Sequence, residues 1–289
     1  MCYVRILFKV YININKKIGG VNTMEGICRL CKEEKELAGS HIIPKMFYKH
    51  IKEKSETGGI RLVSDPNKRL QDGLKLPFLC HSCERLFSKY EKYFSDKFFQ
   101  TTKNNPSEIK QYDTKDDNLR YFILSVAWRC LKYIYETDKE MLEQFTDEEK
   151  LRLESILEHW RDILYKENLK EIRNIQMHLI PTKELSIFKI SPEKVYNNVA
   201  MDFRTNDKEN TFKYAYQYIK IPYFILVCTV WGETSNMKQF LVGKNILVKD
   251  SQLPSWVNNL IISHLENFES AKSVMSDKQK ETILKKVNK

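Results

Sequence analysis

The 289 residues contain no P-loop, no glycine fingerprint for a dinucleotide, no serine-hydrolase elbow and no internal repeat. The chain therefore offers no motif for phosphate capture on a Walker-type loop, for dinucleotide redox chemistry or for triad hydrolysis, and none for a solenoid. A long apolar run is missing as well. The opening stretch, Met1–Asn15, is apolar but carries Arg5 and Lys9, which makes it too short and too charged to cross a bilayer. It also lacks the basic start and small-residue cleavage site of a secretory signal. The expectation is a cytoplasmic chain with no membrane partner. Met24 stands just ahead of Cys28, so residues 1–23 are read as an upstream extension with translation starting at Met24. Of seven cysteines, Cys2, Cys130 and Cys228 are scattered. They are taken as core or incidental thiols of a chain kept in a reducing compartment.

What is present suits a globular protein. Apolar residues make up 42% and aromatics 12%, enough for a real core, and the length allows two modest domains. Lys and Arg number 48 against 38 Asp and Glu, a formal charge of +10 with a pI near 9.1. That balance suits a polyanionic partner such as nucleic acid. Four thiolates on one Zn²⁺ would subtract about two charges and leave the chain basic.

The remaining cysteines form two pairs of one spacing, Cys28-Arg-Leu-Cys31 and Cys80-His-Ser-Cys83. Each pair puts two thiolates on one tight turn, and two such turns supply the four soft ligands of tetrahedral zinc. Four unrelated buried cysteines are the plainer alternative. A zinc that only holds the fold together is another, since a closed four-ligand site leaves no position for chemistry. Between the pairs lies Ser40-His-Ile-Ile-Pro44, and Leu79-Cys80 leads into a probable helix.

Together these segments resemble the HNH endonucleases of the ββα-metal, treble-clef type over residues 28–87. The resemblance implies hydrolysis of DNA phosphodiesters, a structural zinc on the four cysteines, and a second, catalytic ion (Mg²⁺ or another divalent metal) between hairpin and helix. Carried over by position, His41 falls on the family's general base and Ser40 on an aspartate or histidine ligand. Lys75 falls near the family's asparagine, and Glu84 on the last histidine or asparagine ligand. Serine is a weak ligand for a hard cation and protonated lysine is none, whereas Glu84 offers a hard oxygen. Glu91, two turns later, shares its helix face. Without catalysis, Glu84 would simply be favourable charge at a helix N-terminus.

Along the chain, residues 37–43 read as a short strand or turn delivering His41, and Pro44 ends it. Residues 45–51 have helical spacing. A polar stretch with turn signals at Gly58-Gly59, Asp65-Pro66-Asn67 and Asp72-Gly73 follows. Residues 74–79 return as a strand. Leu86, Phe87, Tyr90, Phe94 and Phe98 then step along an amphipathic helix. Its Arg85, Lys89 and Lys92 are a solvated face or a phosphate-contacting one. Residues 101–117 read as a linker, 116–132 as a buried helix, and Thr146-Asp-Glu-Glu149 as a capping box opening a helix over 147–169. His159 and His178 lack a partner at ligand spacing and are read as structural. Strands are expected at 177–190, 195–204, 211–220, 221–231 and 238–249, a closing helix at 256–268, and a lysine-rich helix or frayed tail after 270.

The expected class is α+β: a treble-clef/ββα-metal zinc module, then a helical segment and a small antiparallel sheet. The expected division is the extension 1–23, a zinc module with linker over 24–112, and an accessory body over 113–289 that chooses substrate or protein partner. Two readings of function stand. One is an HNH-like DNA endonuclease with His41 as base and Glu84 on the catalytic ion. The other is a non-catalytic zinc module binding nucleic acid or protein.

Overall fold

The computed structural model describes residues 24–55, 59–61, 63, 66–70, 72–105, 108–182, 198–208, 211–232, 235–248 and 253–287. The extension 1–23, the second half of the strand expected at 177–190 and the residues around Gly58 lie outside them. The described chain combines helices with antiparallel sheets, an α+β protein.

Strands β1 (Met24–Ile27) and β2 (Glu34–His41) form a hairpin. Pro44 starts helix α1 (Lys45–Lys54), which leads to a small hairpin of β3 (Ile60–Arg61) and β4 (Arg69–Leu70). The chain returns in β5 (Lys75–Cys80), antiparallel to β2, so the sheet order is β1-β2-β5. Leu37 pairs with Cys80 but Gly39 pairs with Pro77, so Phe78 and Leu79 together face Ala38 in a β-bulge. The bulge leaves the Leu79 amide without a ladder partner, and it donates instead to Ser40 Oγ at 3.0 Å. Cys80 then caps α2 (His81–Phe94), whose buried stripe is Cys83, Phe87, Tyr90 and Phe94.

α2 widens into a π turn, Ser95–Phe99, and continues as α3 (Gln100–Asn104). Part of the expected linker is thus helical. The next part is β6 (Gln111–Asp113), which pairs with β11 (Asn245–Leu247) far along the chain. Tyr112 of β6 is buried, bonded to the Thr102 hydroxyl at 2.7 Å and packed on Phe98 and Phe224. A polar composition had suggested a solvated connection; the one large aromatic ring decides otherwise.

Helix α4 (Asp117–Thr137) is apolar on nearly every side and lies at the centre. α5 (Lys139–Glu143) follows, then α6 (Asp147–Tyr165), opened by the expected capping box: Thr146 N–H donates to Glu149 Oε2 at 2.8 Å and Glu149 N–H to Thr146 Oγ1 at 3.2 Å. After α7 (Leu169–Ile172) come β7 (Met177–Pro181), β8 (Ala200–Lys208), β9 (Thr211–Ile221) and β10 (Phe224–Trp231), an antiparallel sheet of order β7-β10-β9-β8. The strand expected over 238–249 is a 3₁₀ turn, Ser235–Phe240, followed by the short β11. Helices α8 (Ser255–Ser273) and α9 (Asp277–Val287) close the chain.

The accessory body expected over 113–289 shares its core with the zinc module rather than owning one. Tyr90 stacks on Tyr121 at 3.6 Å and Phe94 on Phe122 at 4.0 Å. His50 of α1 sits between Phe99 and Tyr223 with ring centroids 5.4 Å away on each side. The aromatic stripe of α2 and the largely apolar α4 each need a partner, and each is the other's. One cooperative unit should therefore melt: calorimetry is expected to give a single transition, and two resolved transitions would separate the halves.

Burial holds His50 and His178 neutral, each lowered to about 4; nearby Lys103 and Lys54 add to the effect at His50, and Lys244 at His178. The unfolded chain takes up these protons near the ordinary value of about 6.5, so stability falls as pH drops from there towards 4. Replacing His178 by Leu should flatten part of that slope, by up to about 3 kcal/mol across the window. A denaturation series whose pH slope is unchanged in the variant would refute the neutral histidine.

Candidate metal centre and the adjoining basic cleft

The first cysteine pair lies in the β1–β2 turn. Cys28 N–H donates to Glu33 O and Lys32 N–H to Cys28 O, both at 2.9 Å, and Lys32 closes the turn with φ +65°. That left-handed conformation is uncommon outside glycine. The second pair is set by the start of α2, with Cys80 at its cap and Cys83 in its first turn. The bulge in β5 brings the two turns together. All four sulfurs lie within 4.8 Å of one another, and Cys31 Sγ and Cys80 Sγ are 3.9 Å apart. Tetrahedral zinc with bonds of about 2.3 Å needs sulfurs roughly 3.8 Å apart. Cys80 N–H donates to Cys28 Sγ at 3.3 Å, and Ser82 Oγ lies 3.1 Å from Cys80 Sγ.

Four thiols this close cannot all ionise alone. Hydrogen bonding from Cys83 lowers Cys28 to about 4, while that same contact and burial push Cys83 up. A divalent cation removes the conflict by stabilising every thiolate at once. Cys28, Cys31, Cys80 and Cys83 can thus hold a metal ion such as zinc, and as four protein ligands they leave no coordination position open.

His41, at the far end of β2, does not meet Glu84. It pairs in register with Lys75, five residues before Cys80. Strand β5 covers about 17 Å over that span, whereas the helix returns only about 1.5 Å per residue. The first turn of α2 therefore stays near the cysteines, and the carboxylate level with His41 is Glu91. Arg129 of α4 shows this directly: its Nη1 donates to His41 O at 2.9 Å and its Nη2 to Glu91 Oε1 at 2.8 Å. Glu84 Oε1 is buried without a hydrogen-bond partner. Ser40 is also unavailable as a ligand, being fully buried with its oxygen on the bulge amide.

The partner that His41 does have is Asp72. Nε2 lies 2.9 Å from Asp72 Oδ2, in an off-axis ion-pair contact. Burial opposes ionisation of Asp72, but the Gly73 N–H on Oδ1, His41 and Lys45 outweigh it and hold the carboxyl below its usual range. The Tyr48 ring lies 6.3 Å from the imidazole. It packs so closely on Gly73 that a Cβ there would sit 2.2 Å from a ring carbon. Beside these residues opens a cleft of about 200 Å³ lined by Lys45, Tyr48, Lys49, Lys52, Ile60 and Asp72. Its three lysines share one face of α1, at positions i, i+4 and i+7. Lys49 lies 3.9 Å from Glu53, and Lys89 and Lys92 of α2 bind Glu167 at 2.9 Å and Asp96 at 2.7 Å.

Sequence reasoning missed Asp72, read only as a turn residue, and the lysine face of α1, whose spacing was there to see. His159 and His178 join no metal-ligand cluster among the described residues. No described helix is long and apolar enough to cross a membrane. No family model, curated protein or solved structure matches the chain.

Elemental analysis of protein purified under reducing conditions should find one zinc per chain, and Cys80→Ser should lower that content and unfold the module. Full-length protein that stays metal-free and folded would remove the centre. Arg129→Ala should cost about 3 kcal/mol, because Glu91 and the His41 carbonyl lose a buried cation; a loss below about 1 kcal/mol in urea unfolding would contradict that.

Proposed function

We propose that the chain is an HNH-like, treble-clef endonuclease acting on DNA, with zinc on the four cysteines as its staple and His41 as its general base. The observation that supports it is the pairing of His41 with a carboxylate at the edge of a lysine-lined cleft. The connection β2–β5–α2 follows the ββα order of that family. Asp72 lies against Nε2 off the hydrogen-bond axis, which leaves Nδ1 as the nitrogen that would accept a proton from water. Lys45, Lys49 and Lys52 hold the phosphodiester backbone. The donor set fits a hard divalent ion in one respect only: Asp72 supplies a carboxylate oxygen, and Mg²⁺ commonly binds through one or two carboxylates with waters and phosphate. That ion, Mg²⁺ or another divalent metal, would supply charge stabilisation at the phosphate. Glu84 is no longer assigned to it.

The second reading is a zinc module that binds nucleic acid or a protein without cutting. The separation of Glu84 from His41 and the internal use of Ser40 favour it.

Nicking of supercoiled DNA with Mg²⁺ or Mn²⁺ decides between them. His41→Ala is expected to abolish nicking while DNA binding and zinc content stay near wild type, and Asp72→Asn to slow it about tenfold or more. If the wild type binds DNA and never nicks it, the second reading stands. Retained nicking in His41→Ala would end the first.

A further inference from the structure

The lysine-rich C-terminal helix is docked beside the cleft. Arg61 of β3, next to the cleft residue Ile60, donates from Nη2 to Gln279 Oε1 of α9 at 3.1 Å and from Nη1 to Pro66 O at 2.8 Å. Asn67, in the turn between β3 and β4, accepts the Ser276 N–H on Oδ1 at 2.9 Å. Ser276 O in turn accepts from the amides of Gln279 and Lys280, at 2.9 and 3.0 Å, so Asn67 fixes the residue that opens the helix. The β3–β4 hairpin therefore has the cleft at its base and α9 against its turn.

We propose that α9 and α1 form one phosphate-binding track for duplex DNA, with the β3–β4 hairpin between them. Lys278, Lys280 and Lys285 of α9 are exposed, as are Lys68 on the hairpin turn and Lys45 and Lys49 on α1. Within α9, Lys280 meets Asp277 at 3.6 Å and Lys285 meets Glu281 at 2.7 Å. Such exposed pairs are weak, and a polyphosphate outcompetes them by releasing its condensed counterions. α9 is solvated along most of its length, with Leu284 59% exposed, so its packing is a poor reason for its place. Lys278 and Lys285, seven residues apart on one face of α9, and Lys280 on another, placed beside a cationic cleft, supply a better one.

This inference rests on the reading of the cleft as a DNA site, and the test separates the two. Binding of a fluorescent duplex is followed by anisotropy over a salt series, on the full chain. Changing Lys278, Lys280 and Lys285 together to Gln should weaken binding at least tenfold at low salt. It should also reduce the slope of log affinity against log salt by about 2. Asn67→Ala keeps every cation and loosens only the dock, so it should weaken binding about threefold with little change in slope. Thermal melting checks that both variants fold. Wild-type slope and affinity in the triple variant overturn the role of α9, whether or not Lys45→Gln with Lys49→Gln abolishes binding. If the α9 variant weakens binding and the α1 variant does not, the cleft reading fails and the shared track with it. A wild type that binds no duplex at all overturns both.

Discussion

A guanidinium at 1% exposure must have its charge and its N–H groups answered, and Arg129 is answered from three directions. Its Nε donates to Ser125 O within α4, Nη1 to the end of β2 and Nη2 to Glu91 on α2. Its Cζ lies 5.2 Å from the Phe87 ring centroid, close enough for a cation–π contact. Removing a charge from water is costly, and partners held this way offset the cost only while all three elements keep their places. The guanidinium therefore fixes the His-bearing strand against both helices. The four cysteines gather at the other end of the same two strands, so a metal ion bound there would fasten β2 and β5 at both ends.

The cysteine pairs were legible in the sequence because metal chemistry imposes local spacing. The buried α4 was legible because an apolar helix has a period. The Thr146 cap was legible because its two hydrogen bonds span only three residues. What escaped depended on distance. Tyr112 meets a strand more than a hundred residues away, and nothing near it in the chain marks that meeting. Asp72 reaches His41 only because the loop between α1 and β5 folds back. Glu84 was placed beside His41 by position in a motif, but a strand advances about 3.3 Å per residue and a helix about 1.5 Å, so equal counts along the chain are unequal distances in space.

Net charge also misleads until it is mapped. The lysines of α2 bind neighbouring acids, and Lys32 near the metal centre binds Glu158 at 2.7 Å. On α1 three lysines share one face beside a concave surface, with Lys49 3.9 Å from Glu53. Composition suggests a polyanionic partner, and under the proposed function the lysine face of α1 is the one that would meet it.

The bulge in β5 has a consequence for which mutations the protein can accept. Side chains on a strand alternate, so two residues share a face only when an even number of steps separates them. Pro77 and Cys80 are three steps apart, yet their partners Gly39 and Leu37 are two steps apart on β2. The extra residue changes the parity of the strand and turns Cys80 towards the side where Cys28 lies. Losing one residue at Phe78–Leu79 would restore strict alternation with Cys80 still opposite Leu37, so the sulfurs would keep their faces and the bulge amide that donates to Ser40 Oγ would be lost. Straightening the strand with every residue kept would instead move Cys80 one step past Leu37 and onto the other face, and so would scatter the four sulfurs though no ligand is removed.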